Sequence, residues 1–295
     1  NRRDYREMLF SAKGAGDHIS GVILYDETIR QKGADGTPLV QILTRNNMIP
    51  GIKVDKGAKA LAGSTKEKFT EGLDGLRERL KEYADLGAKF TKWRAVITIG
   101  DGIPSDYCLR VNAEGLAAYA ALSQEAGLVP IVEPEVLMDG GHTIERCFEV
   151  TERTLHTVFA ALYAHRVSLE GMLLKPNMVV SGSECKKQAG IQEVAERTIE
   201  CFRRTVPAAV PGIVFLSGGQ SEVDATAHLN AINAMGTHPW SLSFSYGRAL
   251  QASALKAWGG KKETVGKGQA AFLHRAKMNG LATNGGWKEA LEKAV

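Results

Sequence analysis

Seven short apolar runs rich in β-branched residues recur along the 295-residue chain, at residues 21–25, 51–54, 93–99, 128–132, 171–174, 212–216 and 240–244. Their apolar character is continuous rather than alternating, the pattern of strands buried on both faces of a parallel sheet. Between them the apolar positions change to helical spacing. Ile191, Val194, Ala195, Thr198, Ile199 and Phe202 fall at i, i+3, i+4, i+7, i+8 and i+11, which makes one buried stripe. Leu73, Leu76, Leu80, Tyr83 and Ala84 make a second that stops at Gly87, and Leu116, Tyr119 and Ala120 a third that stops at Gly127. A fourth runs through Ile144, Cys147, Phe148, Leu155, Val158, Phe159 and Leu162. Glycine just past a stripe suits a helix end, because it takes the left-handed conformation that closes the last turn. Strand and helix alternate without interruption, so the class is α/β with a parallel sheet.

Seven such units fall one short of the TIM (β/α)8 barrel, in which each unit takes roughly 30 residues. The opening stretch Arg2-Arg3-Asp4-Tyr5-Arg6-Glu7-Met8-Leu9-Phe10 reads as helix with no strand before it, and the chain does not begin with Met. A barrel whose first strand lies upstream of Asn1 accounts for both facts. An open doubly wound sheet leaves the leading helix unexplained and lacks its G-x-G-x-x-G turn after the first run. No composition break or low-complexity segment divides the chain. Residues 1–295 therefore read as a single barrel domain, its core over about 1–262 and a C-terminal helix and tail over about 263–295, with polar loops at 33–38 and 259–268.

Composition narrows the function classes. The 37 Lys+Arg and 33 Asp+Glu leave a formal charge of +4, too even for an obligate nucleic-acid binder. No apolar run approaches the ~20 residues of a membrane helix, and the N-terminus lacks a signal-peptide core. Cys108, Cys147, Cys185 and Cys201 form no C-x-x-C pair, which argues against a zinc site or disulfide framework and for a reducing cytoplasm.

In a barrel the chemistry belongs at the C-terminal strand ends. Those ends carry Lys53 and Lys56, then Lys92 and Arg94, Glu133 and Glu135, Lys175, Ser217-Gly218-Gly219, and Ser245-Tyr246-Gly247-Arg248. Lys175 follows a run of buried apolar residues. Burial lowers a lysine's pKa, and the neutral amine is the species that forms a Schiff base, although the same lysine could snorkel from the mouth or pair with a carboxylate. Glu133-Pro134-Glu135 puts two carboxylates on one side of an extended chain, suited to acid–base work or to salt bridges with the lysines. The glycine turns after the last two runs lead into helices and present backbone N–H groups, as phosphate sites do, and Arg248 adds a planar bidentate donor; glycine turns also simply join strand to helix. The histidines, among them His18, His142, His156, His165, His228 and His238, do not cluster at strand ends and read as packing or surface residues. A metal-dependent barrel would need such ligands there.

Several segments resemble the class I fructose-1,6-bisphosphate aldolase family: Gly51-Ile52-Lys53-Val54-Asp55-Lys56-Gly57, Glu71-Gly72-Leu73-Asp74-Gly75-Leu76, Lys92-Trp93-Arg94, Val129-Pro130-Ile131-Val132-Glu133-Pro134-Glu135, Leu173-Leu174-Lys175-Pro176-Asn177-Met178-Val179, Phe215-Leu216-Ser217-Gly218-Gly219-Gln220-Ser221-Glu222 and Phe244-Ser245-Tyr246-Gly247-Arg248-Ala249-Leu250-Gln251. They run in unbroken order over most of the chain. The resemblance implies a cytoplasmic glycolytic and gluconeogenic lyase that cleaves fructose 1,6-bisphosphate reversibly to dihydroxyacetone phosphate and glyceraldehyde 3-phosphate. It implies Lys175 as the Schiff-base lysine, Glu133 and Glu135 as the acid–base pair, and Lys92 as the group assisting at the C4 hydroxyl, beside Arg94. Lys56 would lie towards the second phosphate, and Ser217, Gly218, Gly219, Ser245, Gly247 and Arg248 would form the first phosphate site. The protonated imine serves as the electron sink, so no metal or other cofactor is implied. The implied partners are phosphosugars and further copies of the chain in a homotetramer, not nucleic acid or membrane.

Two departures accompany the resemblance. The family's first strand bears an aspartate and serines in a segment resembling A-x-D-E-S, and none precedes Asn1; the family often ends in a terminal tyrosine, where Ala294-Val295 stands here. On this reading the 295-residue chain alone is expected to turn over weakly or not at all, and a non-catalytic or impaired phosphosugar-binding barrel is the alternative.

Overall fold

Among the described residues nine strands form in chain order: β1 (Gly21–Leu24), β2 (Ile49–Lys53), β3 (Ala58–Ala60), β4 (Lys68–Thr70), β5 (Phe90–Ile97), β6 (Val129–Val136), β7 (Leu173–Leu174), β8 (Gly212–Phe215) and β9 (Ser241–Phe244). The helices are α1 (Arg2–Phe10), α2 (Asp26–Ile29), α3 (Leu39–Arg45), α4 (Leu76–Asp85), α5 (Asp106–Glu125), α6 (Ile144–Ala164), α7 (Ile191–Thr205), α8 (Glu222–Ala234), α9 (Arg248–Trp258) and α10 (Val265–Ala282). This computed structural model describes residues 1–293, and Ala294 and Val295 of the expected tail lie outside the described residues.

Seven strands make one parallel sheet in the order β1-β2-β5-β6-β7-β8-β9, with helices between successive members, in the α/β arrangement of a TIM barrel. Its register decides which residues share a face. Lys53 pairs with Lys92, Arg94 with Glu133, and Leu173 with Ile131. Side chains alternate along a strand, so Phe90, Lys92 and Arg94 face inward together with Ile131, Glu133, Glu135 and Leu173. The other set, Ile52, Trp93, Val132, Leu174, Ile213 and Phe215, is buried under the helices. Trp93 stacks on Tyr119 of α5 with ring centroids 5.4 Å apart, and Phe215 on Phe202 of α7 at 5.7 Å. Full burial of such a side chain is worth roughly 1.5–3 kcal/mol, so this layer between sheet and helices supplies most of the cohesion.

β1 pairs only with β2 and β9 only with β8 among the described residues. A cavity of about 790 Å³ runs beside these two edges, with Phe90, Ile131 and Leu173 at its apolar end and Lys53, Lys92 and Lys175 at the other.

Four local features differ from the sequence reading. Strand β6 continues to Val136, so Glu133 and Glu135 lie inside a strand rather than after one. The run at 171–174 holds only two residues of strand, because a 3-10 turn, Leu169–Gly171, takes up its first residue. The loop expected at 259–268 is shortened because α10 begins at Val265. An antiparallel hairpin, β3 with β4, was not anticipated, because its strands are too short and lysine-rich to show a hydrophobic period.

At the C-terminal face two loops meet closely. Gly182 N donates to His142 O at 2.8 Å, Ser183 N to Met138 O at 2.7 Å and Glu184 N to Gly140 O at 2.9 Å. A Cβ on Gly182 would stand 2.2 Å from the Gly140 carbonyl oxygen, so this approach requires glycine. Gly182→Ala is expected to lower stability by about 1–3 kcal/mol, read as a lower urea midpoint with unchanged slope.

Candidate active site

The inward face of the sheet changes character along its length. Two residues beyond the apolar Phe90, Ile131 and Leu173 come Lys92, Glu133 and Lys175, so the same alternation that fills the barrel floor delivers charges to its mouth. All three are buried, and the exposures of Lys175, Glu133 and Lys92 are only 8%, 3% and 7%. Charges so far from water persist only when paired.

Glu133 provides the pairing. Its Oε1 is 3.2 Å from Lys175 Nζ and its Oε2 is 3.0 Å from Lys92 Nζ. Oε2 is buried and has no hydrogen-bond partner, so its contact with Lys92 is an ion pair without an aligned hydrogen bond. Burial pushes the Lys175 ammonium below the ordinary lysine range; Glu133 opposes the shift and Lys92 adds to it. Glu135, on the same face, is bound by the Arg94 guanidinium. Burial nonetheless holds its carboxyl above the usual carboxylate range, against the pull of Arg94 and with a contribution from Glu133.

Asp55 continues the chain of charges, and the sequence reading did not single it out. Its Oδ1 accepts from Lys53 Nζ at 2.5 Å and from Gly57 N at 3.1 Å, while Oδ2 accepts from Arg94 N at 3.2 Å and lies 3.9 Å from Lys92 Nζ. Lys53 Nζ also sits 5.9 Å from the centroid of the Tyr25 ring. The available signal was the i, i+2 spacing of Lys53 and Asp55 just past a strand, which lets both side chains turn the same way.

The segment carrying Lys175 is held although β7 is short. Lys175 N donates to Val132 O at 2.8 Å and Leu216 N to Pro176 O at 3.1 Å, extending the ladder past the strand. Asn177, 4% exposed, accepts from Val136 N at 3.0 Å and donates to Thr151 Oγ1 at 3.1 Å.

The glycine turns lie on the neighbouring strands. In the first, Gly218 and Gly219 take φ of +59° and +99°, and Ser217 is 9% exposed. A Cβ built on Gly219 would lie 3.9 Å from Arg248 Nη2, so the guanidinium at the start of α9 flanks this turn. Ser245 N donates to Phe215 O at 2.8 Å, fixing the second turn beside the first, and Gly247 is the N-cap of α9. Lys175, Glu133, Glu135, Lys92 and Arg94 are thus one connected cluster, with Ser217, Gly218, Gly219, Ser245, Gly247 and Arg248 grouped across the mouth. Lys56 is exposed, and Lys53 rather than Lys56 lines the cavity. Among the described residues, no group of three or more His, Cys, Asp and Glu side chains could hold a metal ion. No helix among them is long and apolar enough to cross a membrane.

A neutral amine beside a carboxylate with a free lone pair can attack a carbonyl and shuttle the protons released. Glu133→Gln removes the attraction that favours the Lys175 ammonium. The half-point for labelling Lys175 with an amine reagent, followed by peptide mass against pH, is expected to fall by about one unit; an unmoved half-point would contradict the pairing.

The family model for class-I fructose-bisphosphate aldolase matches residues 1–295. A probable fructose-bisphosphate aldolase class 1 of Xanthomonas axonopodis pv. citri is 58% identical over 291 residues, covering 98% of this chain and 86% of the relative. The cytosolic fructose-bisphosphate aldolase 4 of Arabidopsis thaliana is 56% identical over 289 residues, covering 98% and 74%. A solved structure of fructose-bisphosphate aldolase from Plasmodium falciparum, in complex with TRAP and a small-molecule inhibitor, superimposes with a TM-score of 0.96 at 54% identity, covering 97% of this chain and 83% of that one. On the match of the whole chain and the identity of these relatives, the chain belongs to the class-I fructose-bisphosphate aldolase family.

Proposed function

We propose that this protein is a fructose-bisphosphate aldolase, a lyase that reversibly cleaves fructose 1,6-bisphosphate to dihydroxyacetone phosphate and glyceraldehyde 3-phosphate through a Schiff base at Lys175. The observation that carries the reading is the Lys175–Glu133–Lys92 ion-paired row at the mouth of the barrel.

Lys175, its pKa lowered by burial, attacks the C2 carbonyl of the open-chain ketose as the free amine. Glu133 moves protons between nitrogen and oxygen in the carbinolamine, and Glu135, whose carboxyl keeps its proton more readily than usual, serves as the second acid. Water leaves and a protonated imine forms. Glu133 Oε2 then accepts the C4 hydroxyl proton while the Lys92 ammonium steadies the oxygen. The C3–C4 bond breaks, its electron pair moves into the imine to give an enamine, and the aldehyde departs. Protonation at C3 and hydrolysis return the amine and release dihydroxyacetone phosphate. The C1 phosphate is assigned to Ser217, Gly218, Gly219, Ser245, Gly247 and Arg248, where backbone N–H groups and a guanidinium converge at a helix start. Lys56 is retained for the second phosphate, and Lys53, which lines the cavity together with Lys92 and Lys175, is proposed to share that contact. Arg94 holds Glu135 in place.

We further propose one barrel unit over residues 1–295, a homotetramer of such units, and a cytoplasmic setting in glycolysis and gluconeogenesis. Family membership supports the assembly and pathway, and the cytosolic Arabidopsis relative supports the compartment. Sedimentation equilibrium is expected to give four chains; a monomer would refute the assembly.

Borohydride added with dihydroxyacetone phosphate is expected to inactivate the enzyme and leave the mass increment on the Lys175 peptide. Lys175→Met is expected to abolish both labelling and cleavage, by at least about 10³-fold, and a chelator to leave the rate unchanged. Label on another lysine, or loss of activity to the chelator, would overturn the mechanism.

A further inference from the structure

His228 lies two turns into α8 and faces back towards the turn that precedes the helix. Its Nδ1 is 2.6 Å from Gln220 Oε1, and Gln220 Nε2 donates to Met178 Sδ at 3.8 Å. The backbone N of Gln220 donates to Ser217 O at 3.0 Å, closing the Ser217-Gly218-Gly219-Gln220 turn. Gln220 therefore joins three parts of the site: its backbone closes the glycine turn after β8, and its side-chain amide meets helix α8 and the segment that leads from Lys175 through Pro176 and Asn177 to Met178.

The two central residues of the turn are glycines in the left-handed region, so they contribute no side chains that could brace it. Within the turn it is the Gln220 side chain that reaches out to both α8 and Met178. The two ends of a side-chain amide are nearly isosteric, and hydrogen-bond partners decide which way it faces. A thioether is a weak acceptor, so Met178 constrains the amide only loosely and its orientation depends on His228. Burial lowers the pKa of the His228 ring, with Asp224 opposing, which favours a neutral imidazole. With Gln220 Oε1 as the acceptor, that imidazole carries its hydrogen on Nδ1.

We propose that His228 is a positioning residue for the C1 phosphate of the substrate. By fixing the Gln220 amide, it holds the Ser217-to-Gln220 turn at the distance from Lys175 at which a ketose gripped by its phosphate presents its carbonyl to the amine. His228 touches neither the substrate nor the reacting atoms. The inference rests on the assignment of Ser217, Gly218 and Gly219 to that phosphate.

The test compares wild type with His228→Leu and His228→Asn. Fructose 1,6-bisphosphate and fructose 1-phosphate both carry the C1 phosphate. In the leucine variant KM is expected to rise by about fivefold to tenfold for both, the worth of one hydrogen bond, with kcat within about twofold of wild type. Asparagine places an N–H donor near the position of Nδ1 and is expected to restore KM to within about twofold. The Kd for inorganic phosphate, read by calorimetry, is expected to follow the same order and needs no turnover. A wild type that binds phosphate but cleaves neither ketose would therefore sink the aldolase reading while leaving this one to be decided by the phosphate data. Unchanged KM and Kd in the leucine variant, loss of kcat at constant KM, a KM effect confined to the bisphosphate, or an asparagine variant that behaves as leucine would each overturn the proposal. Should His228→Leu fail to fold by circular dichroism, Gln220→Leu is judged by the same criteria.

Discussion

A carboxylate buried between two ammonium groups sets the terms for the rest of this molecule. Glu133 sits within 3.2 Å of Lys175 Nζ and 3.0 Å of Lys92 Nζ, and all three are nearly sealed from water. Removing any one of these charges from water costs several kcal/mol, recovered only if its partners stand at close range. Their strands must therefore hold a fixed register, and the outward layer of Trp93, Val132, Leu174 and Phe215 against the helices enforces it. The same burial lowers the pKa of Lys175 and so favours its neutral amine. Asp55 extends the row to Lys53 and the backbone of Arg94, so four cations and three carboxylates share one end of the barrel.

The proposed site draws its ionisable groups from strands and its backbone donors from turns. Strands β5 and β6 carry Lys92, Arg94, Glu133 and Glu135 in a ladder eight residues long. The glycine turns after β8 and β9 present backbone, which reads shape and charge rather than side-chain identity. Between them lies the segment from Lys175 to Met178, pinned by Asn177 to β6 and α6 on one side and contacted by Gln220 on the other. Such a bridge fixes the distance between Lys175 and the Ser217-to-Gln220 turn, on which attack geometry would depend steeply in the proposed reaction.

Much of this was legible in the residues. The helical stripes appear as α4 to α7, and each apolar run falls on or beside a strand. Lys175, Glu133, Lys92 and the two glycine turns were visible because charge and glycine interrupt buried runs. Asp55 was not, since a lone aspartate after a strand looks like a solvated turn until its four contacts are known. Glu133 and Glu135 were expected beyond their strand because the apolar run ends at Val132; β6 runs on, and proline is tolerated at 134 because β7 pairs with β6 only as far as Val132. His228 read as a packing residue, because its contact with Gln220 joins positions eight apart across a loop and a helix. Long-range polar pairs leave no period in a sequence.

The alternation of faces along β5 and β6 also limits how such a protein can change. Inserting one residue between Ile131 and Val132 would turn Val132 and Pro134 towards the cavity and drive both carboxylates into the helix-facing layer of buried apolar side chains. A slip of one position is thus fatal, whereas a substitution in place is graded. Lineages carrying this barrel can change the length of loops away from the mouth, but these strands can vary only letter by letter.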